Sequence, residues 1–256
     1  MLQFHEIIYG PVHSRRLGNS LGVNLLPVDA KICTFNCIYC ECGFNTTMHD
    51  FPMPSRTEVK NALEEKLISL HLENQDIDVI TFAGNGEPSI HPEFEGIIDD
   101  TLEVRNRIFP QAKISVLTNS TQISKPQIFN ALMKIDMAIL KLDSAIDKTV
   151  RLIDRPLKRD FSVKWLIKNL QHFENKLIIQ TMFLRGQYND EIIDNTTDEE
   201  ISAYLNVLQI LNPQKVMIYT IDRETPIKSL HKISAEELEK IAKKIRKIGF
   251  EVSVSA

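Results

Sequence analysis

Residues 78–118 read DVITFAGNGEPSIHPEFEGIIDDTLEVRNRIFPQAKISVLT, and this stretch decides the fold class. It opens with an apolar, β-branched run at Asp78–Ala83 and ends with a second one at Lys113–Thr118. Between them lie a glycine-rich turn and an amphipathic helical pattern over Glu93–Ile108. Alternation of short strands with helices is typical of βα units around a parallel sheet. The stretch therefore predicts one repeating unit of an α/β fold.

The same alternation continues in both directions. We predict further strands at Leu21–Leu26, Met137–Leu142, Lys176–Phe183 and Lys215–Thr220, with a short seventh at Phe250–Val254. We predict helices at Ser124–Met133 and Asp160–Phe173, and three more from the capping boxes Ser55/Glu58, Thr197/Glu200 and Ser234/Glu237, the last helix closed by Gly249. Six such units fit either a partial barrel or an open, doubly wound sheet, and in both the functional residues lie at the C-terminal ends of the strands.

Composition favours one domain over residues 1–256. The chain is 43% hydrophobic and shows no linker or internal repeat. Its net charge of −4 comes from interspersed acidic and basic residues, so no overall field attracts nucleic acid or anionic lipid. The first residues, MLQFHEIIYG, show no basic region followed by an apolar run, and no run of eighteen apolar residues occurs. We therefore expect a cytoplasmic protein without a membrane partner.

All four cysteines lie between positions 33 and 42. A disulfide framework would cross-link distant segments, so thiols this close together indicate metal binding or redox chemistry in a reducing compartment. The spacing of Cys33, Cys37 and Cys40 lets one loop hold a cubic four-iron cluster and leaves the fourth iron open. Zinc held by these three and Cys42 is the alternative.

This CxxxCxxC loop, with an aromatic residue before its third cysteine, resembles the signature of the radical S-adenosylmethionine (radical SAM) superfamily. The resemblance implies that Cys33, Cys37 and Cys40 hold a [4Fe–4S] cluster. It also implies that the amino and carboxylate groups of S-adenosylmethionine chelate the open iron, and that Tyr39 contacts adenine. With this resemblance we predict a partial (β/α)6 TIM-type barrel of parallel strands.

A second match follows the strand at 78–83. The turn Gly84-Asn85-Gly86-Glu87 resembles the Gly-Gly-Glu motif of that superfamily, with Asn85 in place of the first glycine. In the family this motif binds the methionyl amino group, so these four residues are predicted to bind the cofactor. Asn119 and Asp143, after the next two strands, either contact the cofactor or cap helices; the matching family positions favour the cofactor.

Four other segments resemble a wyosine-synthetase-like, single-cluster subgroup: Gly10–Gly18, Leu140–Asp143, Arg155-Pro156 and Ile218–Arg223. The implied activity is reductive cleavage of S-adenosylmethionine to a deoxyadenosyl radical that abstracts hydrogen from a substrate. An external low-potential electron donor is needed. The substrate is unidentified: a small molecule, a peptide or tRNA. A glycyl-radical activating enzyme acting on a partner protein, and a non-enzymatic zinc or redox sensor, are the rival hypotheses.

Two further sets of residues keep alternative interpretations. Arg15 and Arg16 face either an anionic substrate or surface carboxylates. Cys42 is a fourth cluster ligand, a substrate contact or a plain small residue.

Overall fold

The computed structural model describes residues 2–46 and 51–256. Its helices are α1 (Arg56–Leu72), α2 (Phe94–Ile108), α3 (Pro126–Lys134), α4 (Asp147–Ile153), α5 (Val163–Leu170), α6 (Asp198–Leu211) and α7 (Ala235–Lys247). Its strands are β1 (Ile8–Ser14), β2 (Gly18–Val23), β3 (Val79–Phe82), β4 (Lys113–Thr118), β5 (Met137–Lys141), β6 (Ile178–Met182), β7 (Leu184–Tyr188), β8 (Glu191–Asp194), β9 (Lys215–Tyr219), β10 (Leu230–Lys232) and β11 (Val252–Ser255).

Eight strands form one sheet in the order β1-β2-β3-β4-β5-β6-β9-β11. Every neighbouring pair from β2 to β11 is parallel, and β1 runs antiparallel to β2. The six predicted strands correspond to β2–β6 and β9, and the predicted seventh to β11. The prediction of an α/β fold with a barrel of parallel strands is confirmed.

The sheet is strongly curled. Arg15, in the turn between β1 and β2, donates from its guanidinium to the carbonyl of Ala256, directly after β11, at 2.7 Å. In a flat sheet these two edges would lie about 34 Å apart, since neighbouring strands are about 4.8 Å apart. The contact therefore shows that the two edges approach each other, as in a partial barrel.

Side chains alternate between the two faces of the curled sheet. Its outer face and the helices form one large apolar cluster, which α1 enters through residues such as Leu63 and Leu67. On the inner face, Ile139, Ile178 and Met217 form a separate buried cluster. Side chains two positions apart on a strand share a face. The side chains two positions after these three, on β5, β6 and β9, therefore also point into the barrel.

Two details of the predicted helices are wrong. The helix predicted over Asp160–Phe173 is shorter: α5 ends at Leu170 and continues as a 3₁₀ segment, Gln171–Lys176, which contains Glu174 at φ 44°. The reciprocal capping box at α6 does not form. The Thr197 hydroxyl accepts from the Glu200 amide, but the Glu200 carboxylate is buried and accepts instead from Ser144 at 2.6 Å.

The remaining helix predictions agree with the structure. The boxes at Ser55 and Ser234 form fully. Gly249 follows α7 at φ +100°, a conformation that favours glycine. Sequence periodicity missed β1, α4 and the small antiparallel sheet β10-β7-β8. None of the helices in the described part of the chain is both long and apolar enough to span a bilayer.

Candidate functional site

The cysteine loop lies at the C-terminal ends of the parallel strands. Ile32, at its start, pairs in an isolated parallel bridge with Gly86, which belongs to the turn after β3. All four thiols are free, and all line one cavity of about 230 Å³: Cys33, Cys37, Cys40 and Cys42. The structure thus brings the three predicted cluster ligands to one cavity.

Backbone hydrogen bonds hold this loop from two sides. On one side, the Ile32 amide donates to the Asn85 carbonyl at 2.9 Å, and the Ile32 carbonyl accepts from the Glu87 amide at 3.2 Å. On the other side, the Ile38 amide donates to the Ile153 carbonyl at 2.9 Å. The path of the loop is therefore set by main-chain contacts with two segments distant in sequence.

Two glycines make the close approach on the first side possible. A Cβ on Gly86 would lie 1.7 Å from the Ile32 carbonyl oxygen, and its φ is +141°. A Cβ on Gly84 would lie 2.2 Å from Oδ1 of Asn24. Gly84 and Gly86, which the sequence predicts to belong to the cofactor site, both line the cavity. Their first structural role is to let the turn pack against neighbouring protein atoms.

Asn85 differs from its neighbours in the turn. Its side chain is buried and donates to the carbonyls of Phe4 and Pro27 at 2.8 and 2.9 Å, while its Oδ1 accepts from the Phe4 amide at 3.0 Å. It does not belong to the cavity lining. Asn85 therefore anchors the N-terminal segment, whereas the other three predicted residues of the turn face the cavity.

Glu87 is a buried carboxylate at the cavity wall. It accepts hydrogen bonds from the Ser89 hydroxyl at 2.5 Å, the Thr118 hydroxyl at 2.7 Å and the Asn119 amide at 2.6 Å. Desolvation nevertheless raises its pKa above the usual range, against these hydrogen bonds. A positive group entering the cavity would supply the missing counter-charge, because an opposite charge favours the ionised carboxylate.

Asn119 connects β4 to the cysteine loop. Its side-chain amide donates to the Thr34 hydroxyl at 2.8 Å and lies 3.4 Å from Sγ of Cys33. Its Oδ1 accepts from the Thr121 amide at 3.1 Å. Asn119 therefore lines the cavity and also stabilises the turn that follows β4.

Tyr39 and Asp143 meet in a buried polar cluster at one side of the cavity. The Tyr39 hydroxyl donates to the Asp143 carboxylate, whose other oxygen accepts from the Met182 amide at 2.8 Å. Tyr39 lines the cavity, but Asp143 does not. Desolvation and the Asp143 charge hold the pKa of Tyr39 well above its usual value. Asp143 is thus connected to the cavity only indirectly, by its hydrogen bond with Tyr39.

Sequence reasoning missed two members of this cluster, Lys141 and Asp154. The Lys141 ammonium lies 3.2 Å from Asp143 and 3.8 Å from Asp154, and 4.6 Å from the centre of the Tyr39 ring. Asp154 also lies 3.4 Å from Sγ of Cys37. Burial disfavours the Lys141 charge, but the surrounding negative groups outweigh it and raise its pKa. The signal in the sequence was Lys141 itself, an ionisable residue inside an apolar strand.

The four thiols have unequal proton affinities. Burial raises the pKa of Cys33 to about 11 and that of Cys37 well above its usual value. A hydrogen bond from Cys42, with the nearby Lys31 ammonium, lowers the pKa of Cys40. The Cys42 thiol also lies 3.5 Å from the Gly84 carbonyl oxygen at the cavity wall, and its three sequence interpretations stay predictions.

The donor set at this cavity fits an iron–sulfur cluster with an open iron. Three thiols from one loop face the cavity, and the buried Lys31 ammonium lies beside them. Glu87 and Asn119 face the same space with polar atoms. Within residues 2–46 and 51–256, no group of three or more His, Cys, Asp or Glu side chains converges closely enough for a single metal ion.

The two arginines before β2 differ in their surroundings. Arg15 is paired with Asp222 at 3.2 Å, on the outside of the barrel. Arg16 lines the cavity. Arg15 thus faces a surface carboxylate, whereas Arg16 faces the cavity.

Comparison with known proteins identifies the family. The Radical SAM superfamily profile matches residues 28–198, which include the cysteine loop and the turn after β3. The chain belongs to the radical SAM superfamily. Membership implies an enzyme that uses a four-iron cluster and S-adenosylmethionine.

Relatives of this radical SAM chain match nearly all of it. The UPF0026 protein MJ1312 of Methanocaldococcus jannaschii is 31% identical over 241 residues, covering 92% of this chain and 70% of that protein. A Brachyspira hyodysenteriae protein named GTPase Obg is also 31% identical over 241 residues, but there the chain spans only 33% of its relative's length. The crystal structure of a radical SAM methyltransferase from Sphaerobacter thermophilus gives a TM-score of 0.67 at 15% identity, covering 92% of this chain and 65% of that one.

Proposed function

We propose that Cys33, Cys37 and Cys40 hold a [4Fe–4S] cluster and that the adjoining cavity binds S-adenosylmethionine for radical chemistry on a second substrate. The observation that carries this proposal is that these three thiols and the Glu87 carboxylate line one cavity at the C-terminal ends of the strands. Bound at these residues, the cluster would supply one electron for the cleavage of S-adenosylmethionine to methionine and a deoxyadenosyl radical, which would take a hydrogen atom from the substrate.

The protein's own residues have three tasks in this proposal. Glu87 accepts hydrogen bonds from the methionyl ammonium, which also provides the counter-charge that its buried carboxylate lacks. Tyr39, held by Asp143, presents its ring to the cavity as a contact for adenine. Asn119 holds the loop at Cys33 and offers an amide to the cofactor. The barrel excludes water from the reacting groups.

The subgroup and the type of reaction are also part of the proposal. We place the chain in the wyosine-synthetase-like, single-cluster subgroup, with an oxidoreductase- or transferase-type reaction. Support comes from the subgroup's segments, because three of them contribute cavity residues: Arg16, Lys141 and Tyr219. The electron comes from an external low-potential donor. The substrate is a small molecule, a peptide or tRNA.

Anaerobic reconstitution tests the proposal. The chain treated with iron and sulfide should bind about four irons, and with dithionite it should convert S-adenosylmethionine to deoxyadenosine. Cys37→Ala should lose the cluster, whereas the matched variant Cys42→Ala should keep it, because Cys42 is not among the three ligands. Full iron content in Cys37→Ala, or a correctly loaded protein that neither binds nor cleaves S-adenosylmethionine, would contradict the proposal.

A further inference from the structure

In the described part of the chain, five charged side chains other than cysteine line the cavity, and four of them are committed to protein partners. Lys31 donates to the Gly43 carbonyl at 2.5 Å, and Glu41 is paired with Arg223 at 2.8 Å. Glu87 accepts the hydrogen bonds described above, and Lys141 lies between two carboxylates and Tyr39. The fifth is Arg16.

Among the residues that the structure describes, none is an anionic partner of the Arg16 guanidinium. No acidic side chain in residues 2–46 and 51–256 lies within ion-pair distance of it, and its side chain makes none of the hydrogen bonds found there. Its contact is with an aromatic face: the guanidinium lies 4.5 Å from the centre of the Tyr219 ring. Such a contact orients the guanidinium plane but leaves its N–H donors free.

The turn that carries Arg16 is held firmly in place. Its neighbour Arg15 pairs with Asp222 and donates to the Ala256 carbonyl, and Leu17 packs against the apolar cluster inside the barrel. The amides of Arg16 and Leu17 donate to the Ser14 hydroxyl at 3.3 and 3.2 Å. A half-buried guanidinium is therefore positioned at the cavity by contacts that do not use its charge.

Arg16 enters the cavity at a strand distant in the sheet from Glu87. Tyr219 ends β9, whereas the turn carrying Glu87 follows β3, four strands away in the sheet. The cysteine loop spans the space between them: it contacts the β3 turn and Asn119 after β4, and its Glu41 pairs with Arg223 after β9. Arg16 thus lines the β9 side of the cavity, and Glu87 the β3 side.

We propose that Arg16 binds an oxyanion of the substrate, a carboxylate or a phosphate, through the N–H donors that it holds over Tyr219. This inference rests on the proposed radical SAM function, and it makes the substrate an anionic molecule. The guanidinium fork matches the two oxygens of either group, and a partly desolvated arginine gains most from such a charged partner.

The test measures anion binding to the reconstituted chain loaded with S-adenosylmethionine. The probes are inorganic phosphate, followed by ³¹P line broadening, and benzoate, followed by saturation-transfer NMR. We expect one of them to bind, and Arg16→Ala to weaken that binding at least about tenfold, the usual effect of losing a charge-assisted hydrogen-bonded pair. Phosphate binding indicates a phosphorylated substrate, and benzoate binding a carboxylate. Arg15→Ala is the matched control, and Arg16→Lys should restore binding only in part.

Measurements of cofactor binding distinguish a failure of the proposed function from a failure of the role proposed for Arg16. Arg16→Ala should weaken anion binding by a larger factor than it weakens S-adenosylmethionine binding. If the unmodified chain binds no cofactor, the proposed function fails. If the cofactor binds normally but neither anion binds, or both bind Arg16→Ala equally well, the present inference alone fails. A loss of S-adenosylmethionine affinity in Arg16→Ala as large as the loss of anion binding would also overturn it, because Arg16 would then be a cofactor contact.

Discussion

Replacing Gly86 by alanine should detach the cysteine loop from the turn after β3. The new Cβ would lie 1.7 Å from the Ile32 carbonyl oxygen, well inside van der Waals contact. The main chain fixes the position of the Cβ, and the carbonyl is itself main chain, so no side-chain rotation relieves the overlap. Ile32 must move away, and its hydrogen bonds with Asn85 and Glu87 then break.

The structure gives the size of the effect. Two lost backbone hydrogen bonds cost about 1–3 kcal/mol together. The backbone conformation at φ +141° is open to glycine and costs another residue about 1–3 kcal/mol. The sum, about 2–6 kcal/mol, is a large part of the 5–15 kcal/mol by which domains are typically stable.

Gly249→Ala is the matched control. Gly249 also has a positive φ, +100°, but no atom lies within 4 Å of the position of its Cβ. It therefore carries the backbone cost without the overlap, and should destabilise the chain by only about 1–3 kcal/mol. The difference between the two variants isolates the contact with Ile32.

Urea unfolding of the metal-free chain, followed by fluorescence of its single tryptophan, Trp165, measures both variants. Hydrogen exchange over residues 31–46 shows whether the loop opens before the rest of the chain unfolds. Gly86→Ala should exchange faster there and incorporate less iron on reconstitution. Equal stability and equal loop protection in the two variants would refute the argument that main-chain packing at Gly86 positions the cysteines.

Three other predictions follow from the buried ionisable groups. Glu87→Gln should keep its iron but bind S-adenosylmethionine at least about tenfold more weakly in equilibrium dialysis, since it loses a charged acceptor; unchanged affinity would contradict the role of Glu87. Burial and the Asp143 charge raise the pKa of Asp154 above that of an unfolded aspartate, so the stability that its carboxyl gives at low pH is lost as the pH rises; Asp154→Asn should therefore gain stability in urea relative to the unmodified chain as the pH rises from about 4, and a pH-independent difference would contradict the raised pKa. In the metal-free chain, iodoacetamide should alkylate Cys40 near neutral pH and Cys33 only as the pH approaches its pKa of about 11, as peptide mass spectrometry can show; a reversed order would contradict the pKa shifts.

The sequence predicts much of this site because its motifs are local. Three cysteines within eight residues share one loop in any fold, and Gly86 and Glu87 directly follow a strand that periodicity identifies. Asn85 shows where local reasoning ends. Its position in the motif suggested a cofactor contact, but its hydrogen bonds go to Phe4, 81 residues away. A hydrogen-bond partner that distant in sequence leaves no signal in the motif itself.

The cluster around Lys141 shows a second limit. Asp154 approaches Tyr39 across 115 residues, and only the curling of the sheet brings them together. Arg15 and Arg16 are adjacent in sequence, yet the same curling gives Arg15 a partner in Asp222 and leaves Arg16 at the cavity. The closure of the curled sheet, rather than residue type, determines which arginine forms a surface ion pair and which one lines the cavity.

The period of two along the strands explains why Lys141 was overlooked. Ile139, Ile178 and Met217 all point inside the barrel, so the residues two positions later, Lys141, Gln180 and Tyr219, must point into the cavity above them. To use this period of two, one must know a single inward-pointing residue on each strand. Strands covered on both faces, however, are apolar at almost every position, and their sequence does not show which set faces inward. A charged residue that interrupts such a strand resolves the ambiguity. Burial on the helix side would leave its charge without partners, so the inner face, which the polar cavity adjoins, is the one that can hold it.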